Sequence, residues 1–143
     1  MIITSRWDGK PLLDFKGDAL VRANLYGADL RGTAALLQCP ESGSFTGFKK
    51  LQNGIIAELE VLSDAKRSSA TSRKCRCDKA KVVALTNRDG TPSDRTWEMS
   101  QRDSMFVYEI GEIVSVKNFD EDRWNECSTG IHFFITRQEA VEY

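Results

Sequence analysis

The chain has 143 residues, of which 41% are hydrophobic and 29% are charged, and its net charge is −1. These values are ordinary for a soluble globular protein, and they predict one domain with room for a small appendage. No apolar run is long enough to span a bilayer, and the N-terminus lacks the apolar core of a signal peptide. We therefore expect a cytoplasmic protein without a membrane partner, in which the four cysteines are reduced.

Residues 1–37 are predicted to form a separate unit. A short strand and a turn at Asp8-Gly9 come first, and a five-residue repeat follows. Its pentads are Leu13–Gly17, Asp18–Arg22, Ala23–Gly27 and Ala28–Gly32, with Phe15, Leu20, Leu25 and Leu30 at the central positions. A period of five fits neither a helix nor a flat strand and indicates a solenoid.

The pentads ANLYG and ADLRG resemble the pentapeptide-repeat family closely, and LDFKG and DALVR resemble it loosely. Members of that family wind a right-handed, four-sided β-helix in which four pentads complete a turn, so the resemblance implies about one turn here. A solenoid needs several stacked units to cover its ends. We therefore expect this turn to be a packing appendage, and we expect the chain to self-associate as a homo-oligomer.

Residues 38–143 are predicted to form the main domain. The expected elements are strands over Ile55–Leu62, Ala80–Thr86, Met105–Ile110, Glu112–Val116 and Ile131–Ile135, a tight turn at Asn53-Gly54 and a helical turn over Asp120–Trp124. Thr136 and Glu139 have the spacing of a capping box, which predicts a helix beginning at Arg137. The fold class is therefore α+β or mainly β: an antiparallel sheet with a C-terminal helix, preceded by about one turn of pentapeptide-repeat β-helix.

The basic segment, residues 65–81, is the main candidate for ligand binding, because hydroxyl groups lie between its cationic side chains. Guanidinium, hydroxyl and backbone amide groups are suited to hold phosphate or carboxylate. The predicted binding residues of this segment are Arg67, Ser68, Ser69, Thr71, Arg73, Lys74 and Arg76. The alternative is a solvated loop whose charge is balanced by the acidic stretch Asp120–Glu126.

Two further residues, His132 and Trp124, are predicted to contribute to the ligand site. A strand over 131–135 places His132 and Phe134 on one face, so His132 is either a pocket wall or a hydrogen-bonded core residue. Trp124 is predicted to stack on a ligand base, together with Trp97 and Phe119, and the alternative for all three is core packing.

A metal site drawn from Cys75, Cys77, Cys127 and His132 is the alternative to buried free thiols. The C-x-C spacing of Cys75 and Cys77 signals neither a zinc knuckle nor a redox pair. No Ser/His/Asp arrangement, P-loop or dinucleotide glycine motif is visible. We therefore predict no metal, no cofactor and no catalytic residue.

The stretches GFKK, KRSSATSRKCRCDKAKV, FVYEIGEIV and DEDRWNECSTGIHFFITRQEA resemble a domain of unknown function that accompanies pentapeptide repeats in proteins of bacteriophages and large DNA viruses. The resemblance covers residues 45–143 and implies action inside a host bacterial cell. A second resemblance, carried by GIHFF with Ala140 and Tyr143, is to ADP-ribosyltransferases. His132 stands where those enzymes have tyrosine, and no catalytic glutamate motif follows.

These observations predict a phage-encoded, non-enzymatic protein that binds a nucleotide-like anion and thereby modulates or counters a host defence pathway. One alternative is an ADP-ribosyltransferase-like enzyme. Another is a protein-interaction module that uses the pentapeptide turn and has no small-molecule ligand. An acidic host protein surface is the alternative partner to the nucleotide-like anion. Double-stranded DNA is not an expected partner, because the chain is slightly acidic and no recognition helix follows the basic segment.

Overall fold

The computed structural model describes residues 2–5, 11–14, 28–29, 38–70 and 72–143. The chain divides into two compact units, Met1–Ala35 and Leu36–Tyr143.

The first unit contains a three-stranded antiparallel sheet. Its strands are β1 (Ile2–Ser5), β2 (Pro11–Asp14) and β3 (Ala28–Asp29), and β1 lies in the middle. The strand predicted at the N-terminus is confirmed. The turn predicted at Asp8-Gly9 and most of the pentad repeat lie outside the described residues, so the β-helical turn stays a prediction.

The second unit is mostly antiparallel β-structure with an α-helix near its C-terminus. Its elements are β4 (Phe45–Lys50), β5 (Ile56–Val61), β6 (Arg67–Ser68), β7 (Cys75–Cys77), β8 (Lys79–Thr86), β9 (Trp97–Met99), β10 (Val107–Glu109), β11 (Ile113–Ser115), β12 (Ile131–Phe133) and α1 (Arg137–Glu142). This architecture confirms the α+β or mainly β class and the C-terminal helix.

The main sheet has four strands in the order β11-β8-β5-β4. The connection between β4 and β5 turns at Asn53 and Gly54, whose φ angles are +55° and +72°. Asparagine and glycine tolerate this left-handed conformation better than other residues, so the predicted tight turn is confirmed. Residues of β5 and β8 pack their buried side chains on one common core, which includes Leu59, Val61 and Val82.

A smaller sheet, in the order β12-β7-β6, adjoins the main one. Phe48 of β4 and Phe134 exchange both of their backbone hydrogen bonds, each at 2.8 Å, which joins the two sheets. The approach is close, since a Cβ at Gly47 would stand 2.5 Å from the Phe133 ring. The basic segment supplies β6 and β7, so its interpretation as a solvated loop is wrong: Cys75, Arg76 and Cys77 are buried.

Two further expectations change in the connecting segments. The predicted strands at 105–110 and 112–116 exist, but Gly111 separates them into different sheets: β10 pairs with β9, and β11 pairs with β8. The helical turn predicted over Asp120–Trp124 is wrong. The Asp120 carboxylate accepts a hydrogen bond from the Asp122 amide at 2.9 Å, which is a side-chain turn that competes with helix formation.

The C-terminal helix begins as predicted. The Glu139 amide donates to Thr136 Oγ1, and the Glu139 carboxylate accepts from the Thr136 amide at 3.2 Å, so both halves of the capping box are present. The strand before it alternates as expected, with Ile131 and Phe133 buried and His132 on the opposite face. Among the described residues, no helix is long and apolar enough to cross a membrane.

Candidate functional site

Arg67, a predicted ligand residue, is bonded to the protein's own backbone. Its guanidinium group donates to the carbonyl oxygens of Pro40, Gly43, Leu62, Ser63 and Ala65 at 2.8–3.2 Å. Its charged group also lies over the Phe45 ring, 5.3 Å from the ring centre. These contacts join the segment before β4 to the segment after β5. The Arg67 guanidinium group therefore has a structural role.

Arg76 is the most buried cation of the basic segment, with 1% of its surface exposed. Its guanidinium group donates to the carbonyl oxygens of Asp120, Asp122 and Thr129 at 2.8–2.9 Å and lies 5.2 Å from the centre of the Phe119 ring. Burial lowers the pKa of Arg76, and the nearby carboxylates of Asp120 and Asp122 act in the opposite direction.

The hydroxyl groups of the basic segment are not arranged around one point at the surface. Ser68 and Ser69 are buried, and the Ser69 hydroxyl accepts a hydrogen bond from the Gln38 amide at 2.7 Å. The Ser68 hydroxyl has no partner among the described residues. Thr71 lies outside the described residues. Arg73 is exposed and pairs with Glu139, with 2.5 Å between Arg73 Nε and Glu139 Oε1.

Trp124 also lies outside the cavity that Lys49, Lys50, Lys74 and Arg102 line. The Arg123 guanidinium stacks on its ring, 5.4 Å from the ring centre, and bonds to the Ser69 carbonyl at 3.0 Å. Trp97 is exposed on β9, and Phe119 lies under Arg76. The three aromatic residues therefore do not form one stacking surface, although Trp124 and Phe119 each contact an arginine.

A cavity of about 390 Å³ brings Lys74 and His132, two of the predicted ligand residues, together with other cations. It lies where the end of β4, the segment after β9, β12 and the C-terminus meet. Its lining residues are Lys49, Lys50, Lys74, Ser100, Gln101, Arg102, Cys127, His132, Phe134 and Tyr143. We call it the cationic cavity, because its described lining contains four cationic side chains and no carboxylate side chain.

The lysines of the cationic cavity are held loosely compared with the buried arginines. Lys49 Nζ donates to the His132 carbonyl at 3.1 Å, and Lys50 Nζ donates to the Val141 carbonyl at 3.1 Å. Lys74 Nζ lies 3.5 Å from Cys127 Sγ and 5.9 Å from the centre of the Tyr143 ring. An ammonium group has three donors, so each lysine keeps donor capacity for a ligand.

The cations of the cationic cavity repel one another. The pKa of Lys49 is lowered to about 8, mainly by burial; Cys77 acts in the opposite direction, and repulsion from Lys74 and Arg102 adds to the lowering. Burial likewise lowers the pKa of His132 to about 4, with Lys49, Lys74 and Arg76 acting in the same direction. A bound anion would relieve this repulsion, because an opposite charge favours the protonated form of both groups.

His132 is a neutral wall of the cationic cavity near neutral pH. Its Nε2 lies 3.2 Å from the Glu126 carbonyl oxygen, so this nitrogen carries the proton and donates it to that oxygen. Phe134 and Tyr143 stand beside it, with ring centres 5.1 Å apart and ring planes at 51°. Tyr143 is 55% exposed, and Lys74 Nζ lies over its ring.

A second depression, of about 410 Å³, borders the basic segment and includes Arg67. Its described lining contains the carboxylates of Glu41, Asp64 and Glu121. Lys66 pairs with Glu121, so the positive charge there is already neutralised. This depression is therefore less suited to an anion than the cationic cavity.

Sequence reasoning missed Lys49, Lys50, Arg102 and Tyr143. They come from segments far apart in the chain, and only the fold of β4, β9 and β12 brings them to one place. A pair of lysines at the end of a strand is a common surface feature and gives no local signal.

The four cysteines are free thiols, and Cys39, Cys75 and Cys77 are buried while Cys127 is exposed. Within the described part of the chain, no group of histidine, cysteine or acidic residues is arranged to hold a metal ion. The alternative set of Cys75, Cys77, Cys127 and His132 is therefore not assembled.

Comparison with known proteins identifies a family without an assigned activity. A family model described as a family of unknown function, DUF5758, matches residues 35–140. No curated protein and no solved structure matches the chain. The resemblances to pentapeptide repeats, to phage proteins and to ADP-ribosyltransferases therefore stay predictions.

Proposed function

This chain belongs to the family of unknown function DUF5758, and we propose from its geometry that it binds a small nucleotide-like anion in the cationic cavity. The observation that carries the proposal is the charge of the lining: Lys49, Lys50, Lys74 and Arg102 surround one cavity whose described lining includes no carboxylate side chain. Placing cations together without acids costs free energy in the empty protein, and an anionic ligand removes that cost.

The size and aromatic edge of the cavity favour a nucleotide over a bare phosphate ion. Small-molecule sites have volumes of about 300–1,000 Å³, and the cationic cavity, at about 390 Å³, suits a single nucleotide. Lys49, Lys74 and Arg102 would contact the phosphates. The exposed ring of Tyr143 would stack on the base, since bases and aromatic rings pack face to face.

The proposed activity is binding without conversion, by a phage-encoded protein that withholds the ligand from a host defence pathway. His132 supports this interpretation, because a ring with a pKa of about 4 and a committed Nε2–H is a poor general acid at neutral pH. A protein that holds a signalling nucleotide and returns it intact lowers its free concentration inside the host cell.

Titration calorimetry of the full chain with nucleoside mono-, di- and triphosphates and with inorganic phosphate tests the proposal. We expect a nucleotide to bind more tightly than inorganic phosphate, and mass spectrometry after release should return it unchanged. Recovery of a cleaved nucleotide would favour the enzyme alternative instead. Absence of binding to the whole panel would contradict the proposal.

Lys74→Glu and Arg73→Glu are a matched pair of variants, since the two positions are adjacent and both changes reverse a charge. Only Lys74 lines the cationic cavity, whereas Arg73 pairs with Glu139. Losing one charge-assisted contact weakens binding about tenfold to a hundredfold, and reversing the charge should weaken it further. We expect Lys74→Glu to abolish nucleotide binding and Arg73→Glu to bind nearly as wild type. The opposite result would place the ligand on the outer side of the basic segment.

A further inference from the structure

Lys49 has the most apolar surroundings among the lysines of the cationic cavity. It lies on β4, one residue after Phe48, whose backbone bonds join the two sheets. Its Nζ atom is 5.8 Å from the centre of the ring of Tyr108, and Tyr108 is 2% exposed. The amine of Lys49 therefore has the buried aromatic core on one side and the cavity on the other.

The amine of Lys49 is placed among cations rather than beside a carboxylate. Nζ donates to the His132 backbone carbonyl at 3.1 Å, and the described lining of the cavity contains no carboxylate side chain. The charged side chains that act on it across the cavity are Lys74 and Arg102. A carboxylate partner would hold the group as an ammonium ion, whereas burial and cationic neighbours favour the neutral amine. Lysines in such surroundings act as nucleophiles toward carbonyl compounds.

The protonation of Lys49 agrees with this placement. Burial is the main cause that lowers its pKa to about 8, against an opposite effect from Cys77. An ordinary lysine has a pKa of about 10.4, so at pH 7 the neutral fraction of Lys49 is larger by about a hundredfold or more. A bound phosphate would offset the repulsion from Lys74 and Arg102, but it would leave the burial, which is the larger cause, in place.

We propose that the Lys49 amine forms a reversible imine with an aldehyde that carries a phosphate group, while Lys74 and Arg102 hold the phosphate. The phosphate contacts rest on the proposed function, and the covalent bond is an addition to it. The amine nitrogen attacks the aldehyde carbon and forms a carbon–nitrogen bond. The carbonyl oxygen then leaves as water with the two protons of the amine. One amine and one aldehyde thus give one imine and one water, and no oxidant or reductant takes part.

The cationic cavity suits both parts of such a ligand. Its volume of about 390 Å³ accommodates a small phosphorylated aldehyde. The phosphate contacts hold the aldehyde beside the amine, which replaces a bimolecular encounter by a reaction within one complex. A phosphate near the new bond also stabilises the protonated imine, because opposite charges attract. An aldehyde without a phosphate group lacks both advantages.

Treatment of the full chain with pyridoxal 5′-phosphate or glyceraldehyde 3-phosphate, each followed by borohydride, tests the proposal. Borohydride reduces an imine to a stable secondary amine, so peptide mass spectrometry identifies the modified lysine. We expect an adduct at Lys49 at concentrations about tenfold or more below those that modify the other lysines, whose neutral fraction is smaller. The aldehyde that reacts at the lower concentration shows whether the ligand resembles a coenzyme or a sugar phosphate. No adduct at Lys49 with either compound, or equal labelling of the surface lysines, overturns the proposal.

Lys49→Arg and Lys81→Arg are matched variants, since each replaces a lysine by a cation that does not form this imine. Lys81 is exposed on β8 and lies outside the cavity. With circular dichroism as the check of folding, we expect Lys49→Arg to lose the adduct and Lys81→Arg to keep it. An equal yield of adduct at another lysine of the cavity in Lys49→Arg would show that Lys49 is not the nucleophile.

Lys74→Gln tests the phosphate contact. It should raise the concentration of pyridoxal 5′-phosphate that half-labels Lys49 about tenfold or more, because one charge-assisted contact is lost. Labelling by pyridoxal, which has no phosphate, should change far less, and an equal effect on both aldehydes overturns the phosphate contact. Labelling of Lys49 without calorimetric binding of any nucleotide would support the imine and contradict the proposed function. Nucleotide binding without labelling would contradict the imine alone.

Discussion

The protein places its cations in two different settings. Arg67 and Arg76 of the basic segment direct their guanidinium groups at backbone carbonyl oxygens, and Arg76 is almost fully buried. Lys49 and Lys74 instead face a cavity and repel each other. Clustering of charge in the sequence therefore does not identify a ligand site. A cation whose donors bond to backbone carbonyl groups stabilises the fold, whereas a cation that keeps free donors at a cavity is available to a ligand.

The chemistry of the two side chains explains this division. A guanidinium group presents five donors in a rigid plane, so it satisfies several carbonyl groups of irregular backbone at once. An ammonium group is a compact charge on a flexible stem, and it adapts to a ligand that comes and goes. The segments around Arg67 and Arg76 make few backbone hydrogen bonds of their own. Guanidinium donors therefore satisfy the carbonyl groups of these segments.

The largest expected effect comes from replacing Arg76, the buried arginine whose hydrogen bonds stabilise the fold. Arg76→Met removes the hydrogen bonds that the guanidinium group donates to the carbonyl groups of Asp120, Asp122 and Thr129. A hydrogen bond to a charged group contributes about 1.5–3 kcal/mol, so the loss of three should lower the free energy of unfolding by about 3 kcal/mol or more. Urea denaturation followed by tryptophan fluorescence measures this change.

Lys81→Met is the control for Arg76→Met, because Lys81 is exposed on the neighbouring strand β8. Its effect on the free energy of unfolding should stay within about 0.5 kcal/mol. If Arg76→Met proved as stable as the wild type but lost nucleotide binding, Arg76 would be a ligand residue, as the sequence predicts, and the comparison between the two settings would fail.

Much of the fold follows from local pattern. The capping box at Thr136 and the alternation around His132 depend on neighbours within a few residues, and the structure confirms both. The interpretation of the basic segment failed because its burial depends on distant chain. Arg76 is buried only since residues 120–129 wrap over it and supply carbonyl groups.

The candidate site was predictable only in part. Lys74 and His132 were singled out by charge and by strand position, and both line the cationic cavity. Lys49 and Arg102 are isolated in sequence from them and from each other, and they meet because Phe48 of β4 bridges to Phe134 and Leu51 bridges to Ser100. Predicting that convergence requires the topology of both sheets.

A change in pH tests whether the charge of Lys49 in the cationic cavity contributes to nucleotide binding. The pKa of Lys49 is lowered to about 8, so this group is charged below that pH and loses its proton above it. Nucleotide phosphates are fully ionised in this range, since their second pKa is about 6. Affinity should therefore fall about tenfold as the pH rises through 8, because one charge-assisted contact is lost.

The control for this pH dependence is Lys49→Arg, whose guanidinium stays protonated throughout the range. Calorimetric affinities of the variant should be level between about pH 7 and pH 9, whatever their absolute value. A pH dependence that persists in Lys49→Arg would assign the titrating group to another residue of the cavity.

The smallest expected effect concerns Arg73, the exposed arginine that belongs to neither setting. Its partner Glu139 also completes the capping box of α1. Glu139→Ala removes both roles and should lower the free energy of unfolding by about 1 kcal/mol, whereas Glu139→Gln keeps the cap and loses only the ion pair.

Arg73 depresses the pKa of Glu139, so the stability from this pair is present at neutral pH and is lost as the pH falls into the acid range. Denaturation of both variants at neutral and acid pH should show Glu139→Gln within a few tenths of a kcal/mol of wild type and less sensitive to acid. A loss in Glu139→Gln as large as in Glu139→Ala would mean that the Arg73 pair, rather than the cap, holds this helix in place.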